Sequence, residues 1–145
     1  MAKIVAICIS EKKGTQKKEI PEAELLPDHG IVGDAHAGAW IRQVSLLGVE
    51  SVKTVQDKID SFTLQNGAFA ENILTEGICL FELPIGTVLR LGKTATGEVT
   101  QIGKECHHAC IIKEKAGDCV MPREGIFIKI LEGGKIFPGD TLAIV

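Results

Sequence analysis

Apolar residues occur along the chain mostly in short runs, separated by glycine and charged residues. Residues 4–9 form a run rich in β-branched side chains, and the charged stretch after it contains Gly14. Such a run followed by such a stretch is typical of a strand that ends in an exposed turn. Similar short runs at residues 98–102, 125–131 and 141–145 predict further strands.

Two segments in the second half of the chain share one pattern. Residues 84–91 align with residues 137–144 when Gly86 is placed on Gly139. Each segment predicts a tight turn that leads into a strand. The pair Gly133-Gly134, between two predicted strands, predicts a hairpin turn.

Helical periodicity is confined to two places. A helix is predicted from Ser45, which can cap it, to about Ile59, because four apolar residues recur three positions apart: Leu46, Val49, Val52 and Val55. A second, shorter helix is predicted over residues 67–75, with Phe69 and Ile73 on one side. Residues 25–39 contain one proline and three glycines, so we predict a loop-rich segment there.

Six or more short strands, glycine turns and only two helices predict a mainly β fold. We expect a closed or nearly closed β-barrel with a few short helices. The length of 145 residues suits a single domain spanning residues 1–145.

Composition excludes several classes of partner. The net charge of −3 gives no general attraction to nucleic acid, and one Trp, five Phe and no Tyr provide little surface for base stacking. Because no apolar stretch approaches about 18 residues, we expect a soluble protein without a membrane partner. Five irregularly spaced cysteines, with no recognisable secretory segment, predict a reducing, cytoplasmic location.

The strongest candidate for chemistry is the segment 104–119, which holds three of the five cysteines and two of the four histidines. Three lysines lie in the same segment, and neighbouring cations stabilise a thiolate. One hypothesis makes Cys106 a nucleophile or sulfur carrier, with Lys104 and His107 supplying positive charge.

Two other interpretations of this segment remain open. Cys106, Cys110 and Cys119, together with His108, could hold zinc or an iron–sulfur cluster, since thiolate and imidazole are the usual ligands of such sites. Alternatively, the cysteines are small buried apolar residues and the lysines form a solvated face. The spacing alone does not choose among the three.

Other polar residues suggest a binding cleft. Asp34 and His36 lie two residues apart between glycines, where both side chains can point from one loop or simply stabilise a turn. Arg42 follows them, and its planar guanidinium suits phosphate or carboxylate unless it is an ordinary surface residue. Glu71 and Asn72 either orient a polar ligand or support a neighbouring loop.

These motifs in this order, with residues 84–86 and 99–101 leading to Cys106, resemble the MOSC domain, the C-terminal domain of molybdenum cofactor sulfurases. The resemblance extends from about residue 4 to the C-terminus. It implies a β-rich barrel that binds molybdenum cofactor, or a related molybdopterin, and carries sulfur as a persulfide on a cysteine that corresponds to Cys106. The matching polar residues imply an anion- and pterin-binding cleft: Asp34, His36, Arg42, Glu71 and Asn72.

The resemblance also implies partners. The chain has no counterpart of the pyridoxal phosphate domain of complete sulfurases, so we expect no bound pyridoxal phosphate. Sulfur would come from a cysteine desulfurase or another donor, and a molybdoenzyme or a cofactor-biosynthesis protein would accept it. The chain is then a sulfurtransferase-like protein, or a cofactor-binding adaptor with no covalent sulfur.

Overall fold

The computed structural model of the protein describes residues 2–13, 15–104 and 120–145. Within these residues there are two α-helices, α1 at Val49–Gln56 and α2 at Met121–Glu124, and a 3-10 turn at Leu80–Glu82. The strands are β1 Lys3–Ile9, β2 Lys18–Ile20, β3 Ala23–Leu26, β4 Gly30–Ile31, β5 Val44–Gly48, β6 Ile73–Glu76, β7 Val88–Leu91, β8 Ala95–Ile102, β9 Ile126–Glu132, β10 Gly134–Ile136 and β11 Leu142–Ile144. Neither helix in this part of the chain has the length and apolarity needed to cross a membrane.

Most strands belong to one eight-stranded sheet, in the order β11-β7-β8-β9-β5-β6-β1-β2, and β10, β3 and β4 form a smaller sheet. The ladder between β5 and β6 is parallel, and the other ladders are antiparallel. This arrangement confirms the prediction of a mainly β fold with few helices. It also places β5 at the centre of the large sheet.

The two ends of the large sheet approach each other, although its ladders run from β11 to β2 without closing. Lys3 of β1 forms a single bridge with Thr141, just before β11. The Ile4 N–H donates to Asp140 O at 2.8 Å, and the Gly139 N–H donates to Ile4 O at 2.7 Å. These contacts link β1 to the chain that enters β11.

The large sheet buries apolar side chains on both faces. One cluster contains Ile4, Leu46 and Ile128 together with residues from most other strands. A second cluster includes Leu47 and Leu74 from the sheet together with residues of α1 and α2. Alternation along a strand explains the split, because neighbouring side chains point to opposite faces.

The two turns with a shared sequence pattern are confirmed. Gly86 has φ 97° and Gly139 has φ 95°, which is the left-handed region that glycine enters at little cost. Each turn leads into a strand, and those strands, β7 and β11, pair with each other antiparallel. The sequence repeat therefore marks two neighbouring strands of the large sheet.

The helix predicted from Ser45 to Ile59 is only partly correct. Residues 44–48 form β5, which is buried along its whole length, and α1 begins at Val49 and ends at Gln56. The reason is that β5 is covered on both faces, so its sequence shows no alternation. A segment without alternation does not distinguish a central strand from a buried helix.

The helix predicted over residues 67–75 is wrong. The chain turns at residues 67–70 and enters β6 at Ile73. The Glu71 carboxylate accepts hydrogen bonds from the N–H groups of Gly67 (2.8 Å) and Phe69 (3.0 Å), which stabilises the turn. Side chains that bond local backbone compete with helix formation in this way.

The hairpin predicted at Gly133-Gly134 is also wrong. The strands on either side of this pair, β9 and β10, lie in different sheets, and β10 pairs with β3. Gly134 has φ 156°, and a Cβ atom there would lie 2.2 Å from Thr94 Oγ1. The two glycines therefore allow the chain to pass close to Leu25 and Thr94 as it leaves one sheet and enters the other.

Candidate functional site

A solvent-open cleft of about 260 Å³ lies where the loop between β4 and β5 meets the ends of β8 and β9. Six residues line it: Lys13, His36, Trp40, Arg42, Lys104 and Phe127. A smaller pocket of about 10 Å³ shares four of these residues and adds Ser45, Ala70, Asn72 and Met121. Three of the six cleft residues are cationic, although the whole chain carries a net charge of −3.

Aromatic rings fix the position of the Arg42 guanidinium. Its Cζ atom lies 4.8 Å from the centroid of Trp40 and 5.8 Å from that of Phe127. The Lys13 ammonium lies 5.0 Å from the Trp40 centroid. Such contacts between cations and aromatic faces hold a charge in place without neutralising it. Arg42 is therefore oriented in the cleft before any ligand arrives.

A bulge in β8 attaches the cleft loop to the sheet. The ladder with β9 shifts register between Val99 and Gln101, so Thr100 is the extra residue. The Thr100 hydroxyl contacts the carbonyl oxygens of Ile41 and Phe127. Bulges commonly redirect side chains beside functional sites. Here the bulge connects the residue before Arg42 to the strand that carries Phe127.

Lys104 reaches the cleft because the preceding residue is glycine. Gly103 has φ 70°, and a Cβ atom there would lie 2.1 Å from the carbonyl oxygen of Pro122 in α2. The Gly103 N–H donates to Gly125 O at 2.6 Å, and the Lys104 N–H donates to Pro122 O at 3.2 Å. Only glycine permits so close an approach with this backbone conformation. The end of β8 is thus held against α2.

Asp34 lies behind the cleft and does not line it. Its side chain is fully buried, and its Oδ1 lies 2.7 Å from the ammonium of Lys17, which is also fully buried. The carboxylate also accepts the N–H groups of Ser10 and His36, both at 3.1 Å. Asp34 therefore supports the loop that carries His36, and a ligand in the cleft would not contact it directly.

The His36 ring borders both the cleft and the smaller pocket. Its plane is within 4° of that of Trp40, with ring centroids 6.4 Å apart, and the Trp40 indole N–H donates to the His36 carbonyl at 2.7 Å. Burial, followed by the positive charge of Lys17, lowers the pKa of His36 from 6.5 to about 4. The imidazole is therefore neutral at pH 7.

Glu71 and Asn72 are almost completely buried and shape the backbone. Burial raises the pKa of Glu71, while its hydrogen bonds to the backbone of the 67–70 turn lower it. The Asn72 side-chain amide donates to Cys8 O at 3.0 Å, and its oxygen accepts the N–H of Ser45 at 3.0 Å. Asn72 thus joins β1 and β5 and borders only the smaller pocket.

Cys106, His107, His108, Cys110 and Cys119 lie outside the described residues. The hypotheses that place a nucleophile or a metal among them stay predictions. Within residues 2–13, 15–104 and 120–145, no group of three or more histidine, cysteine, aspartate or glutamate side chains is arranged to hold a metal ion.

The two described thiols both have raised pKa values. Burial raises the pKa of the Cys8 thiol to about 12. Cys79 is exposed, and its pKa is also raised, by partial desolvation and by the carboxylate of Glu82. Because the thiolate is the reactive form of cysteine, a raised pKa lowers the reactive fraction of both thiols.

A second cavity, of about 410 Å³, lies between α1, the 3-10 turn and α2. Its lining includes the carboxylates of Glu50 and Glu124 and the thiol of Cys79, with no lysine or arginine. Glu124 accepts a hydrogen bond of 2.6 Å from the Ser51 hydroxyl, and Glu50 accepts the Gly77 N–H at 2.8 Å. This acidic cavity does not suit an anion.

Sequence reasoning missed four residues of the site: Lys13, Lys17, Trp40 and Phe127. Lys17 stands in a run of charged residues and looks like a surface lysine, although it is buried. Trp40 and Phe127 carry no local motif, and only their shared contact with Arg42 reveals their role. The proximity of Trp40 to Arg42 in sequence was the one available indication, since arginine often stacks on aromatic rings.

Comparisons with known proteins agree with this architecture. YuaD from Bacillus subtilis is 17% identical, with 98% of this chain and 94% of that chain covered and a TM-score of 0.73. YiiM from Geobacillus stearothermophilus is 17% identical (100% and 75% covered, TM-score 0.72), and YiiM from Escherichia coli is 18% identical (100% and 70% covered, TM-score 0.64). At these identities the likeness shows a shared fold.

A search of curated protein sequences found no match. The family model described as the MOSC domain, however, matches residues 33–143. That range begins at the loop of Asp34 and His36 and includes β8 and β9, whose ends border the cleft. The chain belongs to the MOSC domain family.

Proposed function

We propose that the protein binds the phosphate-bearing end of molybdenum cofactor, or of a related molybdopterin, in the cleft, and that it carries sulfur as a persulfide on Cys106. The observation that carries the binding part is Arg42, held between Trp40 and Phe127 beside Lys104. A guanidinium oriented in this way can bind a phosphate through two parallel hydrogen bonds. Membership of the MOSC family supports the choice of ligand.

The chemistry of the lining agrees with a phosphate. Arg42, Lys104 and Lys13 are hydrogen-bond donors with no acceptor, whereas a phosphate presents only acceptors when it is fully ionised. The remainder of the ligand would extend into the solvent-open part of the cleft, over Trp40. In this proposal the cofactor is cargo, and its molybdenum is the centre that receives the sulfur.

The sulfur step needs a thiolate close to this cleft, and Cys106 follows Lys104 by two residues. The Cys106 thiolate attacks the terminal sulfur of a donor persulfide. A new S–S bond forms on Cys106, the donor S–S bond breaks, and the donor leaves as a thiolate. The transfer moves one sulfur atom with no net oxidation. Lys104 and His107 would stabilise the attacking thiolate.

Release of the sulfur as sulfide requires two electrons. A second thiol, Cys110 or Cys119, would attack the inner sulfur, expel hydrosulfide and leave a disulfide with Cys106. A small thiol reductant would then restore the two thiols.

The proposed partners are a cysteine desulfurase as donor and a molybdoenzyme or cofactor-biosynthesis protein as acceptor, in a reducing cytoplasmic compartment. The proposed scaffold is a nearly closed barrel, which the bridge between Lys3 and Thr141 supports.

Peptide-resolved mass spectrometry tests the sulfur-carrier part. The full-length protein is incubated with a cysteine desulfurase and cysteine, and its thiols are trapped before digestion. We expect one added sulfur on the Cys106 peptide. The matched variants are Cys106→Ser, which should abolish loading, and Cys79→Ser, which removes an exposed thiol and should leave loading unchanged.

Two outcomes contradict the sulfur-carrier proposal. An unmodified Cys106 in folded protein would show that the thiol accepts no sulfur from this donor class. Unchanged cofactor binding and sulfur loading in Cys106→Ser would show that another residue performs the chemistry. If the wild type never carries sulfur on Cys106, and Cys106→Ser still binds cofactor normally, the protein is a binding adaptor.

A further inference from the structure

A charged lysine lies in the interior behind the cleft. Lys17 is 4% exposed, and its ammonium lies 2.7 Å from Asp34 Oδ1, with both side chains inaccessible to solvent. Burying two charges is costly and is tolerated only when their remaining hydrogen-bonding capacity is satisfied. This pair does not line the cleft, so direct contact with a ligand does not explain it.

The three protons of this ammonium have three partners. Besides Asp34, the Lys17 Nζ atom lies 3.1 Å from Ser10 Oγ and 3.1 Å from His36 Nδ1. The Ser10 hydroxyl uses its own proton on Lys12 O, at 3.0 Å, so its oxygen is free to accept from Lys17. An ammonium has donors only. The Nδ1 atom of His36 must therefore act as the acceptor.

The backbone around Lys17 is equally constrained. Its N–H donates to Gly67 O at 2.9 Å, and a Cβ atom on Gly67 would lie 2.1 Å from Lys17 O. The Gly67 N–H in turn donates to the buried Glu71 carboxylate. Glu71 therefore fixes the turn whose carbonyl group accepts the Lys17 N–H.

We infer that Lys17 is a positioning residue that holds His36 as the neutral imidazole with its proton on Nε2. The imidazole then offers the cleft a hydrogen-bond donor, and it is neither a base nor a titrating cation there. A ring nitrogen that accepts a bond from a fixed ammonium leaves the proton on the other nitrogen. For its effect on an anion, this inference rests on the proposed function.

The charges around His36 support this assignment. Lys17, Lys104 and Lys13 all disfavour a positive imidazole, and Asp34 alone among the groups acting on it favours one. Arg42 lines the same cleft. Burial and the nearest cation dominate, so the pKa of His36 is about 4. The donor at Nε2 then persists at all pH values well above 4.

A cleft whose polar side chains are all hydrogen-bond donors should select anions by their protonation state. A fully ionised phosphate or sulfate can accept hydrogen bonds from the cationic side chains of Lys13, Arg42 and Lys104 and from Nε2 of His36. A ligand that presents an N–H or O–H group at that position finds no acceptor on the imidazole. Because an unpaired polar group in a site costs affinity, the cleft should prefer the ionised ester.

Nuclear magnetic resonance on the wild-type protein without ligand tests the inference directly. In full-length protein with ¹⁵N-labelled histidine, long-range ¹H–¹⁵N correlations distinguish the two tautomers. We expect His36 to show a protonated Nε2 and an unprotonated Nδ1, unchanged from pH 8 to pH 5. A proton on Nδ1, a mixture of tautomers, or protonation of the ring near pH 6.5 would overturn the inference.

The double variant Lys17→Met/Asp34→Asn removes the ammonium without leaving a buried charge. We expect its His36 to populate both tautomers and to titrate closer to the ordinary histidine pKa. If the wild-type tautomer persists in this variant, Lys17 does not set it. Lys53→Met removes an exposed lysine and is the matched control, which should leave the His36 signals unchanged.

Sulfate binding between pH 8 and pH 5 separates this inference from the proposed function, because sulfate keeps its charge over this range. We expect the wild-type affinity to change less than about two-fold, since lysine and arginine stay protonated. The double variant should bind several-fold more tightly at pH 5 than at pH 8. Correct tautomers with no anion binding would contradict the proposed function alone, and anion binding with incorrect tautomers would contradict the inference alone.

Discussion

The basic cleft and the acidic cavity differ in the interactions that hold their charged side chains in place. The cleft, of about 260 Å³, is lined by Lys13, Arg42 and Lys104, and a buried ion pair supports its His36. The cavity, of about 410 Å³, contains Glu50 and Glu124, which accept hydrogen bonds from the Gly77 N–H and the Ser51 hydroxyl and have, within the described part of the chain, no buried cation beside them. The larger cavity is therefore the poorer candidate for an anion, because charge and fixed geometry decide binding more than volume does.

The largest expected effect concerns the ion pair behind the cleft. Lys17→Met leaves the Asp34 carboxylate buried without its cation, and we expect the free energy of unfolding to fall by about 3–5 kcal/mol. Lys53→Met breaks an ion pair on α1, the helix beside the acidic cavity, where the lysine side chain is 74% exposed. That change should cost about 0–0.5 kcal/mol. Urea unfolding of both variants measures the contrast, and equal losses would contradict it.

The next effect concerns binding in the cleft. Arg42→Gln removes the oriented guanidinium but keeps a polar side chain, and we expect the affinity for a pterin phosphate to fall about ten- to hundred-fold. Titration calorimetry with the pterin phosphate and with inorganic phosphate measures this loss. Arg90→Gln, at an exposed position on β7, is the matched control and should bind normally. If both variants bind like the wild type, Arg42 does not hold the anion.

A smaller effect should appear in the pH dependence of stability. The pKa of His36 is about 4 in the folded protein against 6.5 ordinarily, so the unfolded chain binds more protons between these values. The stability that depends on neutral His36 is therefore complete above about pH 6.5 and is lost as the pH falls towards 4. The raised pKa of Glu71 acts in the opposite direction, since its protonation favours the folded state.

Comparing the wild type with His36→Gln isolates the histidine contribution. The variant should lack the decline between pH 6.5 and 4, with a slope difference below the full value of about 1.4 kcal/mol per pH unit because the side chain is partly exposed to solvent. Chemical unfolding at a series of pH values provides the measurement. Parallel curves for the two proteins would show that His36 does not resist protonation.

The smallest effects are expected in the acidic cavity. Glu50→Gln and Glu124→Gln should change the anion affinity of the cleft by less than about two-fold, because charges outside the cleft are screened by solvent and salt. The same calorimetric titrations test them. A large gain in anion affinity in either variant would show that this carboxylate repels the ligand bound in the cleft.

Local patterns predicted those parts of the protein whose causes are local. The turns at Gly86 and Gly139 and the strands after them follow from glycine conformation and alternating apolar residues. Arg42 and His36, which the sequence indicated as candidates, line one cleft. The helix predicted through Ser45 failed because a central strand covered on both faces carries no alternation, and only the surrounding sheets reveal which structure forms.

The sequence by itself determined that this is a mainly β member of the MOSC family, because family membership and strand patterning depend on the order of residues along the chain. Only the tertiary structure decided that Lys17 is buried against Asp34 and His36, and that Trp40 and Phe127 hold Arg42 between them. These contacts join residues from separate strands and loops. Whether a lysine is solvated or buried depends on what packs over it, and that is set by the fold as a whole.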